Sequence, residues 1–348
     1  MTIDLTRALD WRSPESWKTV TTVDAHTAGE PLRVILSGWP DLRGGSMLDR
    51  RRRAMARFDD LRTALMWEPR GHADMYGCVV LPPASEEADF GVLFVHNEGF
   101  STMCGHGIIA VTTVMLETGA MTREEPATEV RIDTPAGMVR ARARIEEGRV
   151  TEVAFENVPS FVLHRDRVVQ VPGLGDVRCD VAFGGAFYAF VEAADVGVDL
   201  TPGAVRDLVD RGVSIKRAVS EACAVEHPFE SDLGFLYGTI FTGPPQAEGA
   251  HSRNVCVFAD GEVDRSPTGT GVSARAALHV ERGDLAVGEA MVVESIIGSR
   301  IRVTAMRRTQ FGRHDAVVPE VTGRAHITGR HEFCLDPNDH LANGFLVR

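Results

Sequence analysis

Apolar residues alternate with polar ones from Lys18 onward. Val20 and Val23 mark a first strand, and after the AGEP turn Leu32-Arg33-Val34-Ile35-Leu36 continues as a second. Residues 1–16 carry no such pattern and read as a loose lead-in. Leu48, Met55, Phe58, Leu61 and Leu65 recur at roughly helical spacing, which predicts a helix over 47–66. Strands are expected at Met75–Leu81 and Gly91–His96. After Cys104-Gly-His-Gly, a helical stripe of Ile108, Val111, Met115 and Leu116 has Ile109 and Val114 beside it. That predicts a largely buried helix stopping near Gly119. Its β-branched residues are poor helix formers, so tertiary burial must sustain it.

The second half repeats these themes. VRIDTP, GMVRARARIEEG and RVTEVAFENV alternate like strands with one wet face. VAFGGAFYAFV at 181–191 reads as a buried strand pair bent at its glycines. Thr201-Pro202 has the form of an N-cap with a first-turn proline, opening a helix to at least Asp210 that Gly212 interrupts or ends. Strands follow near Leu236–Phe241 and Arg253–Phe258. The stripe Val272, Ala276, Ala277, Val280 then predicts a helix stopped by Gly283. MVVESIIG, RIRVTAMRR and the tail 323–348 add strands. MCGHG and PTGTG hold matching places, each opening a helix that ends in ETG or ERG. A degenerate internal duplication is the simplest reading: an α+β chain of two similar domains, with sites at two facing helix N-termini.

Composition narrows the function classes. A chain of 348 residues suits two domains. A formal charge of -12 argues against a nucleic-acid partner. The run Arg50-Arg51-Arg52-Arg53 reads as a solvated helix face. There is no apolar run of the ~18 residues that a membrane span needs. The N-terminal segment lacks a basic stretch leading into an apolar core, so no signal peptide and a cytoplasmic location are expected. The six cysteines lie apart with no CxxC pair, which speaks against a zinc knuckle or iron-sulfur site. Most read as small buried hydrophobes, Cys256 in NVCVF among them.

Cys104 differs. A thiol just before a buried helix faces unpaired amides and the positive end of the helix dipole, which favour thiolate. Gly105 and Gly107 allow close backbone approach, and His106 lies between them. The segment reads equally as a structural cysteine in a Gly-rich turn, or as a hydrolase nucleophile with His72 or His96 as base. In the matching segment, Thr268 or Thr270 serves as a plain helix cap on the bland reading. The segment lacks the Gly-Lys-Ser/Thr of a P-loop and the third glycine of a dinucleotide loop. Asp264 fits either a polar turn or a carboxylate that receives an ammonium. His26, Glu30, His72 and Asp74 match no standard metal-ligand spacing.

HTAGEPLRV at 26–34, EPRGHADMYG at 68–77, FSTMCGHG at 100–107, DRSPTGTG at 264–271 and ESIIG at 294–298 together resemble the proline racemase family. The resemblance implies a diaminopimelate epimerase-like fold: two domains, each a curved sheet or barrel around a central helix, with a small amino acid between them. The implied boundaries are 17–145 with 320–348 returning, and 150–319. It implies neither pyridoxal phosphate nor metal, and a possible homodimer. Family racemases and 4-hydroxyproline epimerases use two facing cysteines. The first maps to Cys104, substrate contacts to Gly105, His106, Gly269 and Thr270, and the ammonium-side carboxylate to Asp264. The second cysteine maps to Thr268, a departure. A threonine hydroxyl ionises far above the ~8.5 of a thiol, so it is no partner for two-base racemisation. The Cys/Thr pair resembles the family branch that dehydrates trans-3-hydroxy-L-proline. Epimerisation of 4-hydroxyproline, racemisation of proline, or amino-acid binding without turnover are the alternatives. Which of Phe100, Tyr188 and Tyr237 reads a ring hydroxyl is left open.

Overall fold

A computed structural model describes residues 3–347. Among these residues the helices are α1 (Leu5–Leu9), α2 (Met47–Arg57), α3 (Asp59–Met66), α4 (Gly105–Glu117), α5 (Val205–Ala222) and α6 (Gly269–Arg282). Helices α4 and α6 are buried along nearly their whole length. That is why α4 tolerates its β-branched run: strands surround it, and each residue meets apolar neighbours.

Both halves use the same crossings. Strand Glu30–Ser37 pairs in parallel with Tyr76–Leu81 across α2 and α3, and Phe90–His96 pairs in parallel with Ala127–Thr134 across α4. In the second half Phe187–Glu192 pairs in parallel with Leu236–Gly243 across α5, and Ser252–Phe258 with Ala290–Glu294 across α6. Each half therefore wraps a sheet around one central helix and packs a second apolar layer outside it. Leu61, Leu65 and Met66 form that layer in the first half, and Leu208, Ile215 and Val219 in the second. This is the α+β architecture of two similar units expected from the matching segments. The C-terminal strand Ala325–Leu335 pairs with Lys18–Thr27, and His314–Gly323 pairs with both Arg149–Glu156 and Ser160–Val171. All the strands join one continuous sheet.

Several local expectations change. The helix predicted over 47–66 breaks at Phe58, whose φ of -137° and ψ of 23° leave the helical region. The break turns α2 relative to α3, so Met55 is 45% exposed while Arg50 and Arg51 are buried. The arginine run is thus only half solvated. Arg50 donates to the Pro82 and Pro83 carbonyls, and Arg51 to that of Phe100. Gly212 does not end α5: a Cβ there would lie 2.7 Å from Cβ of Val257, so the glycine serves helix-to-strand packing. Thr201 makes no side-chain cap, and a 3₁₀ turn at Pro202–Ala204 precedes α5. The lead-in contains the exposed α1, and the first two of its residues lie outside those described.

Candidate active site

The two central helices meet end to end. A Cβ on Gly105 would lie 2.6 Å from the Gly269 Cα, and one on Gly269 would lie 2.7 Å from the Gly105 Cα. No side chain fits at either place. Cys104 is the N-cap of α4, and its sulfur accepts from the Gly107 amide at 3.3 Å. Thr268 is the N-cap of α6 with φ 68° and ψ 98°, a conformation a β-branched residue rarely holds. It makes no side-chain cap, contrary to the plain capping reading. Its hydroxyl donates to Asp264 Oδ2 at 2.8 Å instead, while the Ser266 amide donates to Oδ1 at 2.7 Å.

Cys104, Gly105, His106, Asp264, Thr268, Gly269 and Thr270 all line one cavity of ≈ 20 Å³. That is room for about one water. Residues distant in sequence and drawn from both halves thus converge on one point. Apart from Gly107, which donates to Cys104, the first-turn amides have no partner within their own helices, so each helix start offers donors beside this cavity.

Burial dominates the electrostatics. It pushes the Cys104 thiol well above its ordinary range; the Gly107 amide opposes this, and the Asp264 carboxylate adds to it. A lowered value, expected from the helix terminus alone, is therefore not found: desolvation outweighs one amide and the dipole. Burial also lowers the His106 pKa, against the pull of Asp264, which keeps the imidazole neutral at pH 7. The Cys104 sulfur lies 3.1 Å from His106 Nδ1 and 3.5 Å from Nε2. A sulfur nearly equidistant from both ring nitrogens lies along neither lone pair, so we treat this as a contact with the ring rather than a thiol-imidazole hydrogen bond. Glu30 accepts from the Arg265 amide at 2.6 Å, and Arg265 donates to Asp74 at 2.8 Å. Burial, then Asp264 beside it, holds the Glu30 carboxyl well above the usual carboxylate range.

Neither alternative base reaches the thiol's cavity. His72 is exposed and His96 pairs with Glu262 at 3.1 Å across the two halves. Phe100 also lies away from it. Tyr188 and Tyr237 line it, and so do Tyr76, Met103, Cys256 and Phe258, which sequence reasoning did not place there. The chain has three tyrosines, and all of them face this one cavity. Their scarcity was visible in the sequence, but their convergence was not, because positions 76, 188 and 237 lie far apart in the chain. Among the described residues no cluster of three or more His, Cys, Asp or Glu is arranged to hold a metal.

Residues 22–346 match the family model described as proline racemase. The chain belongs to the proline racemase family. A trans-3-hydroxy-L-proline dehydratase of Bacillus thuringiensis is 48% identical over 95% of this chain and 98% of its own. A 3-hydroxyproline 2-epimerase of Burkholderia multivorans is 44% identical over 95% and 99%. Among solved structures, a hydroxyproline epimerase from Agrobacterium vitis, crystallised with trans-4-hydroxy-L-proline, is 32% identical. It superposes with a TM-score of 0.90 over 96% of each chain.

Proposed function

We propose that the protein is a trans-3-hydroxy-L-proline dehydratase, a carbon-oxygen lyase that eliminates water to give 1-pyrroline-2-carboxylate. One observation carries this reading. The two helix N-caps that face one cavity hold a thiol and a threonine hydroxyl, and that hydroxyl is committed as a donor to Asp264. Two-face racemisation needs an acid-base group on each face. One-face elimination needs a base on one face only, and Cys104 supplies it.

The substrate's geometry fits a single group. In trans-3-hydroxyproline the Cα hydrogen and the 3-hydroxyl lie on the same ring face. Cys104 takes the Cα proton, the C3–O bond breaks, and the resulting enamine tautomerises to the cyclic imine. The first-turn amides beside Gly105, His106, Gly269 and Thr270 hold the carboxylate and stabilise the charge that develops on it. Asp264 receives the ring ammonium. That cation offsets the Asp264 charge, which otherwise disfavours the Cys104 thiolate. A cavity for about one water does not admit a proline ring, so the two domains part for entry. Closure around the ring then excludes water. No step calls on a cofactor.

The pairing of Lys18–Thr27 with Ala325–Leu335 supports a first domain over 17–145 completed by 320–348, with 150–319 as the second. Six cysteines without a disulfide suit a reducing cytoplasm, and family resemblance suggests a homodimer. A second reading, 2-epimerisation, is favoured by the Cys256 thiol in the same cavity.

A chromogenic imine assay on trans-3-, trans-4- and cis-4-hydroxyproline separates the two readings. Dehydration gives imine from the trans-3 compound alone, whereas epimerisation gives solvent deuterium at Cα without loss of water. Cys104→Ser should lower turnover by roughly 10²–10⁴-fold while substrate binding stays measurable. Undiminished turnover in that variant would overturn the mechanism.

A further inference from the structure

Eliminating water requires a proton for the departing oxygen, and the residues discussed so far do not supply one well. The His106 ring is neutral, and its nitrogens are not aligned on the thiol. The tyrosines differ in how far their hydroxyls are engaged. The Tyr188 hydroxyl is bonded to Thr270 Oγ1 at 2.6 Å, and that of Tyr76 to Ser101 Oγ at 2.5 Å. The Tyr237 hydroxyl is sealed from solvent and makes no hydrogen bond of normal geometry to any described residue. The residue as a whole is only half-buried, held by ring contacts with Phe258 at 5.4 Å, Tyr188 at 5.9 Å and His96 at 6.2 Å. These fix the ring beside the cavity, and its hydroxyl has only the Tyr76 hydroxyl near it, out of normal hydrogen-bond geometry. A buried donor without a well-aligned acceptor is relieved by a ligand that brings one.

Resting on the dehydratase reading, we propose that Tyr237 is the catalytic acid of the elimination and the residue that recognises the substrate's 3-hydroxyl. Its O–H donates to the ring hydroxyl on binding. As Cys104 takes the Cα proton, the C–H electron pair becomes the Cα–C3 double bond. The C3–O bond pair leaves with oxygen, and the Tyr237 proton completes a water molecule. The phenolate regains its proton from the Cys104 thiol. Tyr76 provides the path, since its hydroxyl interacts with both the Cys104 thiol and the Tyr237 hydroxyl. The cycle closes with one water and one enamine. Burial keeps all three phenols protonated. A protonated phenol is then available to donate to a departing hydroxide, itself a strong base.

The test compares two leaving groups in the full-length protein. Chloride departs without a proton and hydroxide does not. With trans-3-hydroxy-L-proline, Tyr237→Phe should lower kcat by roughly 10²–10⁴-fold. With trans-3-chloro-L-proline, imine formation should stay within about tenfold of wild type, because Cys104 and the carboxylate site are untouched. Equal losses on both substrates would reduce Tyr237 to a structural role and overturn the proposal, as would full activity on the hydroxyl substrate. If the wild type forms no imine from trans-3-hydroxy-L-proline, the dehydratase reading itself falls, and the acid role with it. Tyr188→Phe is the control for packing: its hydroxyl is bonded to Thr270, so its losses should not depend on the leaving group.

Discussion

Thr268 sits where backbone sterics and chemistry pull against each other. Its positive φ is one that glycine or asparagine holds at lower cost, and residues kept in such regions store roughly 1–3 kcal/mol. The compensation is visible: the hydroxyl donates to Asp264, and the Thr268 amide donates to Ser266 Oγ at 3.0 Å. Hydrogen bonds to charged groups are worth about 1.5–3 kcal/mol. Thr268→Val keeps the shape and removes the donor, so KM should rise roughly tenfold or more as Asp264 reorients, with a smaller change in kcat. Steady-state kinetics check this split, and an unchanged KM would mean that the bond does not position the carboxylate. The sequence made position 268 conspicuous as a threonine in a cysteine's place. It did not show whether the hydroxyl caps a helix or serves a carboxylate, because that depends on φ, which no residue type declares.

At the level of elements, the meeting of α4 and α6 is the feature most dependent on particular residues. Gly105→Ala sets a methyl against the Gly269 backbone, where no side chain can move aside. Such overpacking costs about 1–3 kcal/mol. It also shifts two helix termini that must address one substrate, and misplacement near 1 Å costs on the order of 10²-fold in rate. We expect kcat/KM to fall by that order with only a few degrees lost in Tm, a disproportion that kinetics and thermal melts on one sample would reveal. These two helices were legible because each has a periodic apolar stripe, a glycine-rich start and a glycine stop. The helix predicted over 47–66 was less so. Its break at Phe58 comes with buried arginines capping the Phe100, Pro82 and Pro83 carbonyls, partners distant in sequence that no local periodicity encodes. Gly212 misled for the same reason, its cause being Val257 on a strand far along the chain.

Across the whole molecule, the two halves of the chain meet at the site through buried and part-buried polar groups. Glu30 comes from the first half and meets the Arg265 amide and Asp264 from the second, while Asp74 of the first takes the Arg265 side chain. Burial and the neighbouring Asp264 raise the Glu30 pKa, so the folded protein keeps a proton there that the unfolded chain loses above about 4.5. The sign follows from linkage. A group whose folded pKa is raised contributes stability that is fully present below its unfolded pKa and is lost as pH rises toward its folded one. One such proton changes stability by up to ~1.4 kcal/mol per pH unit inside that window. Glu30→Gln removes the titration while leaving an oxygen for the Arg265 amide. The variant's Tm relative to wild type should therefore climb as pH rises from about 5 toward neutrality and level off beyond the folded pKa. Parallel melting curves of the two proteins across that range decide the matter. A difference that is flat with pH would mean that Glu30 is ionised in the folded state. Asp264 would then face a second negative charge from the first half of the chain, and parting of the two halves, rather than the proposed substrate ammonium, would have to relieve it.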